Sequence, residues 1–321
     1  MDRQIVVATA VKDGKALPPE PEKKKLRIRQ ETVSNYIFLL PYLFGFTMFI
    51  VLPVLVAIYF SFTNFNSVSL PQWVGLDNYI NLFTQDTVFM QYVVPNTLKF
   101  SVIAGPVGYF LSFFLAWMLA QIPARPRTVL SLIIYSPSMA AGATMTVVWK
   151  VIFSGDSVGT INAYLLDWGI ISQPIQWLQS PEYLMAIMII VTIWGSMGVG
   201  FLAMIAGVLN IDSELYEAAY IDGVKNRFQE IVHVTIPSMK PQMLFGAVMA
   251  VVGTFSAGSI GVQLSGANPS PRYAGQMVLN HIEDYGLIRY EMGYAAAVSV
   301  VLMLFIWLVS KLIFKLLRDK D

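Results

Sequence analysis

Six stretches of this chain are long and apolar enough to cross a lipid bilayer, which removes most folds from consideration. They run over residues 36–62, 98–122, 129–153, 183–209, 243–264 and 292–317. A hydrocarbon core about 30 Å thick needs roughly 20 apolar residues in helical form. In lipid every backbone N–H and C=O must be satisfied internally, so only helices or closed barrels qualify. These lengths suit helices, and the expected fold is all-α and membrane-embedded, with six transmembrane helices. Pro41 and Pro53 predict a kink in the first stretch. Composition agrees: 56% of residues are hydrophobic and 13% charged, where a soluble domain carries about a quarter charged.

The remaining segments set boundaries and orientation. Residues 1–35 read as a basic, disordered tail, 36–318 as the membrane domain and 319–321 as a short C-terminal end. The first apolar stretch is too long for a signal peptide and lacks a small-residue cleavage site. Cytoplasmic segments collect Lys and Arg. With the tail inside, every Lys and Arg falls inside except Lys99, Lys150, Arg272 and Arg289. Both termini are therefore expected in the cytoplasm. The outer connections 63–97, 154–182 and 265–291 are long, and the inner connection 210–242 is the one long inner loop.

Several function classes drop out. A net charge of +1 offers nothing to nucleic acid. Cysteine is absent, so disulfides, thiolate metal sites and cysteine nucleophiles are excluded. His233 and His281 are too far apart in sequence for metal-ligand spacing. No phosphate-binding loop occurs: Gly155 and Gly159 are followed by no lysine. No Asp or Glu lies deep in an apolar stretch, which argues against an ion-coupled secondary transporter.

The 210–242 loop carries the strongest pattern. Asp212 and Ser213 are N-cap residues, with Glu214 in the first helical turn. Leu215, Ala218 and Ala219 share a narrow face of small apolar residues. Gly223 after Asp222 is a left-handed stop. A second short helix would place Phe228, Ile231 and Val232 on one face, with Pro237 and Pro241 ending it. The expectation is a helix–turn–helix on the cytoplasmic face, open to close approach by another protein.

Glu217-Ala218-Ala219, Asp222-Gly223, Ile236-Pro237 and Pro241 together resemble the EAA motif of permeases in binding-protein-dependent ABC importers. Leu215-Tyr216 and Ile236-Pro237 are similar to the carbohydrate branch, the maltose-permease-like group. Val224 departs from that family's usual alanine. Gly75-Leu76-Asp77-Asn78-Tyr79, Asn96-Thr97-Leu98 and the set Gly159, Asn162, Leu166 and Trp177 resemble outer segments of the same permeases. The long extracellular insertion of maltose-type members is absent.

The resemblance implies a transport subunit of the bacterial cytoplasmic membrane, not an enzyme. Its partners would be a second homologous permease, two ABC ATPase subunits and a lipid-anchored or periplasmic sugar-binding protein. ATP and magnesium would belong to the ATPases, leaving this chain without a cofactor or metal. Glu217, Ala218, Ala219, Asp222, Gly223, Pro237 and Pro241 would form the coupling site.

A neutral sugar needs hydroxyl, amide and aromatic partners. The fourth stretch offers Trp194 and Ser196, and the fifth Thr254, Ser256 and Ser259. Ser136, Ser138, Thr144, Thr146 and Trp149 of the third are the next candidates. The same residues also suit close helix packing. A polyol or glycerol phosphate carried by the same machine stays open as an alternative, and an ion-coupled transporter is the more distant one.

Overall fold

The computed structural model describes the backbone of residues 11–12, 15–16, 24–140 and 142–317, and the side-chain surroundings of residues 35–140 and 146–315. It divides into two units, residues 1–56 and 57–321. In the first, β1 (Val11–Lys12) and β2 (Lys15–Ala16) form a two-residue antiparallel pair. Helix α1 (Lys24–Phe46) continues through a π-turn at Thr47–Val51 into α2 (Leu52–Phe60). Residues 24–35 are thus helical, not part of a disordered tail; the tail's other residues, apart from 11–12 and 15–16, and residues 319–321 lie outside the described ones. The helix runs past the apolar stretch because Lys, Arg, Gln and Glu at 24–31 are good helix formers.

The second unit starts at Ala57 within α2, and its first complete helix is α3 (Asp77–Thr84). A π-turn at Phe89–Val93 leads into α4 (Val94–Ala120), which a tight turn joins to α5 (Ala124–Met139) and α6 (Gly142–Ile152). After α7 (Thr160–Asp167) come α8 (Pro181–Gly195), α9 (Val199–Leu209), α10 (Ser213–Ile221) and α11 (Arg227–Glu230). A π-turn at Ile231–Thr235 leads to α12 (Ile236–Ser238) and α13 (Lys240–Ser256). The chain ends with α14 (Ile260–Ser265), α15 (Val278–Glu283) and α16 (Met292–Leu317).

Three helices among the described residues can each cross a membrane by length and composition: Asn35–Phe60, Phe89–Ala120 and Met292–Lys315. The pair α8 and α9, bent by 44°, makes a fourth if counted as one span. The third and fifth apolar stretches are not single helices. The third breaks at Ala140, whose ψ of 132° is extended, shortly after Pro137 has removed a helical N–H. The fifth breaks at Ala257, with ψ 37°, where residues 257–259 separate α13 from α14.

The second unit is organised around α4, which packs on α8, α9 and α13, while α13 also packs on α16. Lipid supplies no hydrophobic drive between helices, so close contact of small residues does this work. A Cβ on Gly200 would lie 3.4 Å from Gly246 Cα, and one on Gly108 would lie 2.9 Å from Ser196 Oγ. Three apolar clusters follow the bundle: one around Phe100, Leu184 and Met188, one around Phe201, Met204 and Met239, and one around Leu82, Phe89 and Val298.

Candidate functional site

Two places combine the residues singled out from sequence: the 210–242 loop and the bend between α8 and α9. In the loop, Asp212 caps α10 by accepting a hydrogen bond from Glu214 N–H at 3.1 Å. Gly223 takes φ +97°, and beside it Val224 N–H donates to Ala219 C=O at 3.0 Å. That bond closes the last turn of α10 in the manner of a Schellman cap. Glu217 and Ala218 are exposed, Ala219 is half-buried and Asp222 is exposed.

The second half of the loop differs from expectation. Phe228 is 75% exposed and Val232 is exposed too, so Phe228, Ile231 and Val232 are not the inward face. The buried residues are Glu230, at the end of α11, and Val234 and Thr235 in the π-turn that follows. Pro237 lies within α12, and Pro241 falls in the first turn of α13, where a missing N–H costs nothing. Pro237 and Pro241 thus flank the break at Met239 instead of ending the helix ahead of it.

Sequence reasoning missed what fastens the two halves. Tyr220 OH donates to Glu230 Oε2 at 2.7 Å, and Arg227 Nη1 donates to the same oxygen at 2.7 Å. Those bonds raise the Tyr220 phenol above its ordinary pKa, with the hydrogen bond to Glu230 as the largest cause, and raise Arg227 likewise. The i, i+4 spacing of Tyr216 and Tyr220 was the available signal. Between this cluster and the ends of α4 and α9 lies a cavity of about 290 Å³.

The second place is a cavity of about 250 Å³ in the bend, bordered by α4, α8, α9 and α13. Gly105, Gly108, Gly195, Gly198, Gly200, Gly246 and Gly253 line much of it, and Tyr109, Ser112, Thr192, Ser196 and Thr254 are its hydroxyl-bearing residues. Ser196 donates to Ile193 C=O at 2.7 Å, and Thr254 to Ala250 C=O at 2.9 Å. Thr192 Oγ1 is buried with no hydrogen-bond partner.

Of the five substrate-path residues, Ser196 and Thr254 line this cavity and the other three do not. Trp194 instead meets Trp149 edge-on, 5.4 Å between ring centroids, and Trp149 Nε1 is buried without a partner. Ser259 accepts a hydrogen bond from Gln263 Nε2 at 2.9 Å, while Gln263 Oε1 accepts one from Thr146 Oγ1 at 3.0 Å. Residues of the third and fifth apolar stretches therefore form one polar chain through Gln263, which sequence reading overlooked. Ser256 is exposed. Ser136 and Ser138 each donate to a carbonyl of their own helix, and Thr144 lies outside the residues whose side chains are described.

The polar residues of the other motifs are staples. Buried Asn78 donates to Ser61 C=O and Thr63 C=O, at 2.9 and 2.8 Å. Fully buried Asn162 donates to the carbonyls of Ser154, Asp156 and Ile175, and accepts from Ile175 N–H and Trp177 Nε1. Asn96 donates to Tyr273 C=O at 2.7 Å, and Thr97 Oγ1 accepts from Val278 N–H at 3.1 Å.

Comparison with known proteins adds an independent line. A family model described as binding-protein-dependent transport system inner membrane component matches residues 23–320. The probable ABC transporter permease protein YesP of Bacillus subtilis is 29% identical over 294 residues, 91% of this chain and 93% of that one. The arabinooligosaccharides transport system permease protein AraP of the same organism is 28% identical over 290 residues, 88% of each chain. The lactose transport system permease protein LacF of Rhizobium radiobacter is 29% identical over 295 residues, 91% of this chain and 96% of that one. Among solved structures, a chain of a bacterial ABC transporter involved in import of the acidic polysaccharide alginate superposes with a TM-score of 0.73. It is 23% identical, with 92% of this chain and all of that one covered, and the likeness is one of fold.

Proposed function

This chain belongs to the family of binding-protein-dependent transport system inner membrane components, and from that membership we propose that it is one of two permeases in an ATP-driven importer of carbohydrate. The observation that carries the reading is the α10 loop. It presents Glu217 and Ala218 to solvent on a capped helix that ends at a left-handed Gly223. A short helix held this way can seat in a groove of another protein, and separate ATPase subunits are the occupant proposed. Two such ATPases, a second permease and an external binding protein complete the unit.

In this reading the six spans are α1–α2, α4 with its preceding π-turn, α5–α6, α8–α9, α13–α14 and α16. The 210–242 loop lies between spans four and five in the cytoplasm, with both termini on the same side. Relatives named for arabinooligosaccharides and lactose support a sugar as substrate. The Trp149–Trp194 pair and the Thr146–Gln263–Ser259 chain offer the aromatic faces and hydroxyl or amide partners that a neutral sugar needs. The glycine-lined cavity at the bend would make room beside them.

The test is reconstitution with the co-encoded permease, ATPase and binding protein. ATP hydrolysis should rise when the binding protein carries its oligosaccharide, and uptake should stop when the ATPase is inactivated. Uptake that persists without an active ATPase would end the proposal. Labelling of Lys225→Cys by an impermeant maleimide in intact cells would end the topology alone.

A further inference from the structure

Tyr216 and Tyr220 lie one turn apart on α10, and each reaches a buried group of the next helical segment. Tyr220 OH donates to Glu230 Oε2, and Tyr216 OH meets Thr235 Oγ1 at 3.2 Å. Glu230 is 3% exposed and Thr235 is fully buried. A carboxylate withdrawn from water is costly unless donors meet it. Here Tyr220 meets it from one side of the turn and the exposed Arg227 from the other. Residues 222–226, which join α10 to α11, are non-helical. Beyond Glu230 the chain runs through the π-turn and α12 to α13 with a single interrupting residue, Met239.

We infer that Glu230 is the positioning residue that turns the loop into a rigid lever, so that a displacement of α10 reaches α13 instead of being absorbed at 222–226. The inference rests on the coupling-loop reading, but Glu230 and Tyr220 stand outside the motif residues that suggested that reading. A two-point fastening, Tyr216 to Thr235 and Tyr220 to Glu230, resists rotation as well as separation. One bond alone would leave a swivel.

The experiment uses the reconstituted complex with Glu230→Gln, Tyr220→Phe and the double variant. Hydrolysis stimulated by the loaded binding protein should fall at least about fivefold, while basal hydrolysis and subunit assembly hold. The double variant should be no worse than the worse single one. Bridging Tyr220→Cys to Glu230→Cys with a bis-maleimide should restore stimulation. Wild-type stimulation in both single variants overturns the inference, as does a parallel loss of basal activity and assembly. Glu217→Cys, cross-linked to the ATPase in the same membranes, separates the two claims. No cross-link removes the coupling reading itself; a cross-link with unimpaired Glu230 variants removes only the lever.

Discussion

Asp86 and His281 are 195 positions apart in the chain, yet His281 Nε2 lies 2.9 Å from Asp86 Oδ2. Tyr294 OH donates to the same oxygen at 2.8 Å, and Phe89 N–H donates to Asp86 Oδ1 at 2.7 Å. Asp86 thereby ties the start of the α4 span to α15 and the start of α16. Burial alone would raise the Asp86 pKa, but the hydrogen bonds from His281, Phe89 and Tyr294 outweigh it and hold the carboxyl well below the usual range.

A depressed carboxylate pKa contributes stability that is present above the unfolded-state value and lost as pH falls toward the folded one. Wild-type protein in detergent should therefore lose thermal stability as pH drops below about 4. Asp86→Asn should flatten that part of the profile. Asp86→Ala, which leaves His281 and Tyr294 buried without their acceptor, should cost about 3 kcal/mol at neutral pH. An unchanged acid profile in Asp86→Asn would remove this account.

Gly223 predicts a graded series. Its φ of +97° strains any L side chain, so Gly223→Ala should cost about 1 kcal/mol locally. Gly223→Pro should do more, because it cannot adopt that φ and also deletes the N–H that donates to Tyr220 C=O. Membrane abundance of Gly223→Pro should stay normal while stimulated ATP hydrolysis is lost. Glu217→Lys should give the same phenotype by reversing the charge on the exposed face of α10. Normal stimulation in both would count against the coupling site.

Close approach of α4 to the bend predicts a suppressor. A Cβ on Gly108 would crowd Ser196 Oγ at 2.9 Å and its Cβ at 3.0 Å. Gly108→Ala should destabilise by about 1–3 kcal/mol through overpacking. Adding Ser196→Gly should recover most of that loss, read as the midpoint of thermal unfolding. Additive losses would mean the two residues do not share this contact.

The sugar-contact proposal separates from helix packing by hydroxyl deletion at near-constant volume. Ser196→Ala, Thr254→Val, Ser256→Ala, Ser259→Ala and Trp194→Phe should leave assembly and basal hydrolysis unchanged. Lowered uptake at limiting sugar is expected most in Ser259→Ala and Trp194→Phe, because those side chains join the Gln263 and Trp149 clusters. Exposed Ser256 should matter least. If none of the five changes uptake, the site lies elsewhere.

Apolar length made the membrane-embedded helical class legible, and the α10 cap and stop were legible because Asp212 and Gly223 act through local backbone chemistry. The breaks in the third and fifth stretches were not, since hydropathy sums over residues and is blind to a single extended ψ at Ala140. Asp86 with His281, Gln263 with Thr146 and Trp149 with Trp194 were hidden for another reason. Each pair joins segments far apart in sequence, and no local period announces such a partner. The π-turn at Ile231–Thr235 was hidden too, as was the burial of Glu230 in place of Phe228.

The bend between α8 and α9 ties two lengths to one angle. An α-helix rises about 1.5 Å per residue, so α9, with its 11 residues, is an arm of about 16 Å. Swinging that arm by about ten degrees about Gly198 would carry its Leu209 end roughly 3 Å sideways. The glycine-lined hollow begins at the pivot and follows α9 as far as Met204, so its walls beside Gly198 move far less than the Leu209 end. A small swing at Gly198 therefore becomes a displacement of a few ångströms where α9 runs into the loop, in proportion to the length of the arm.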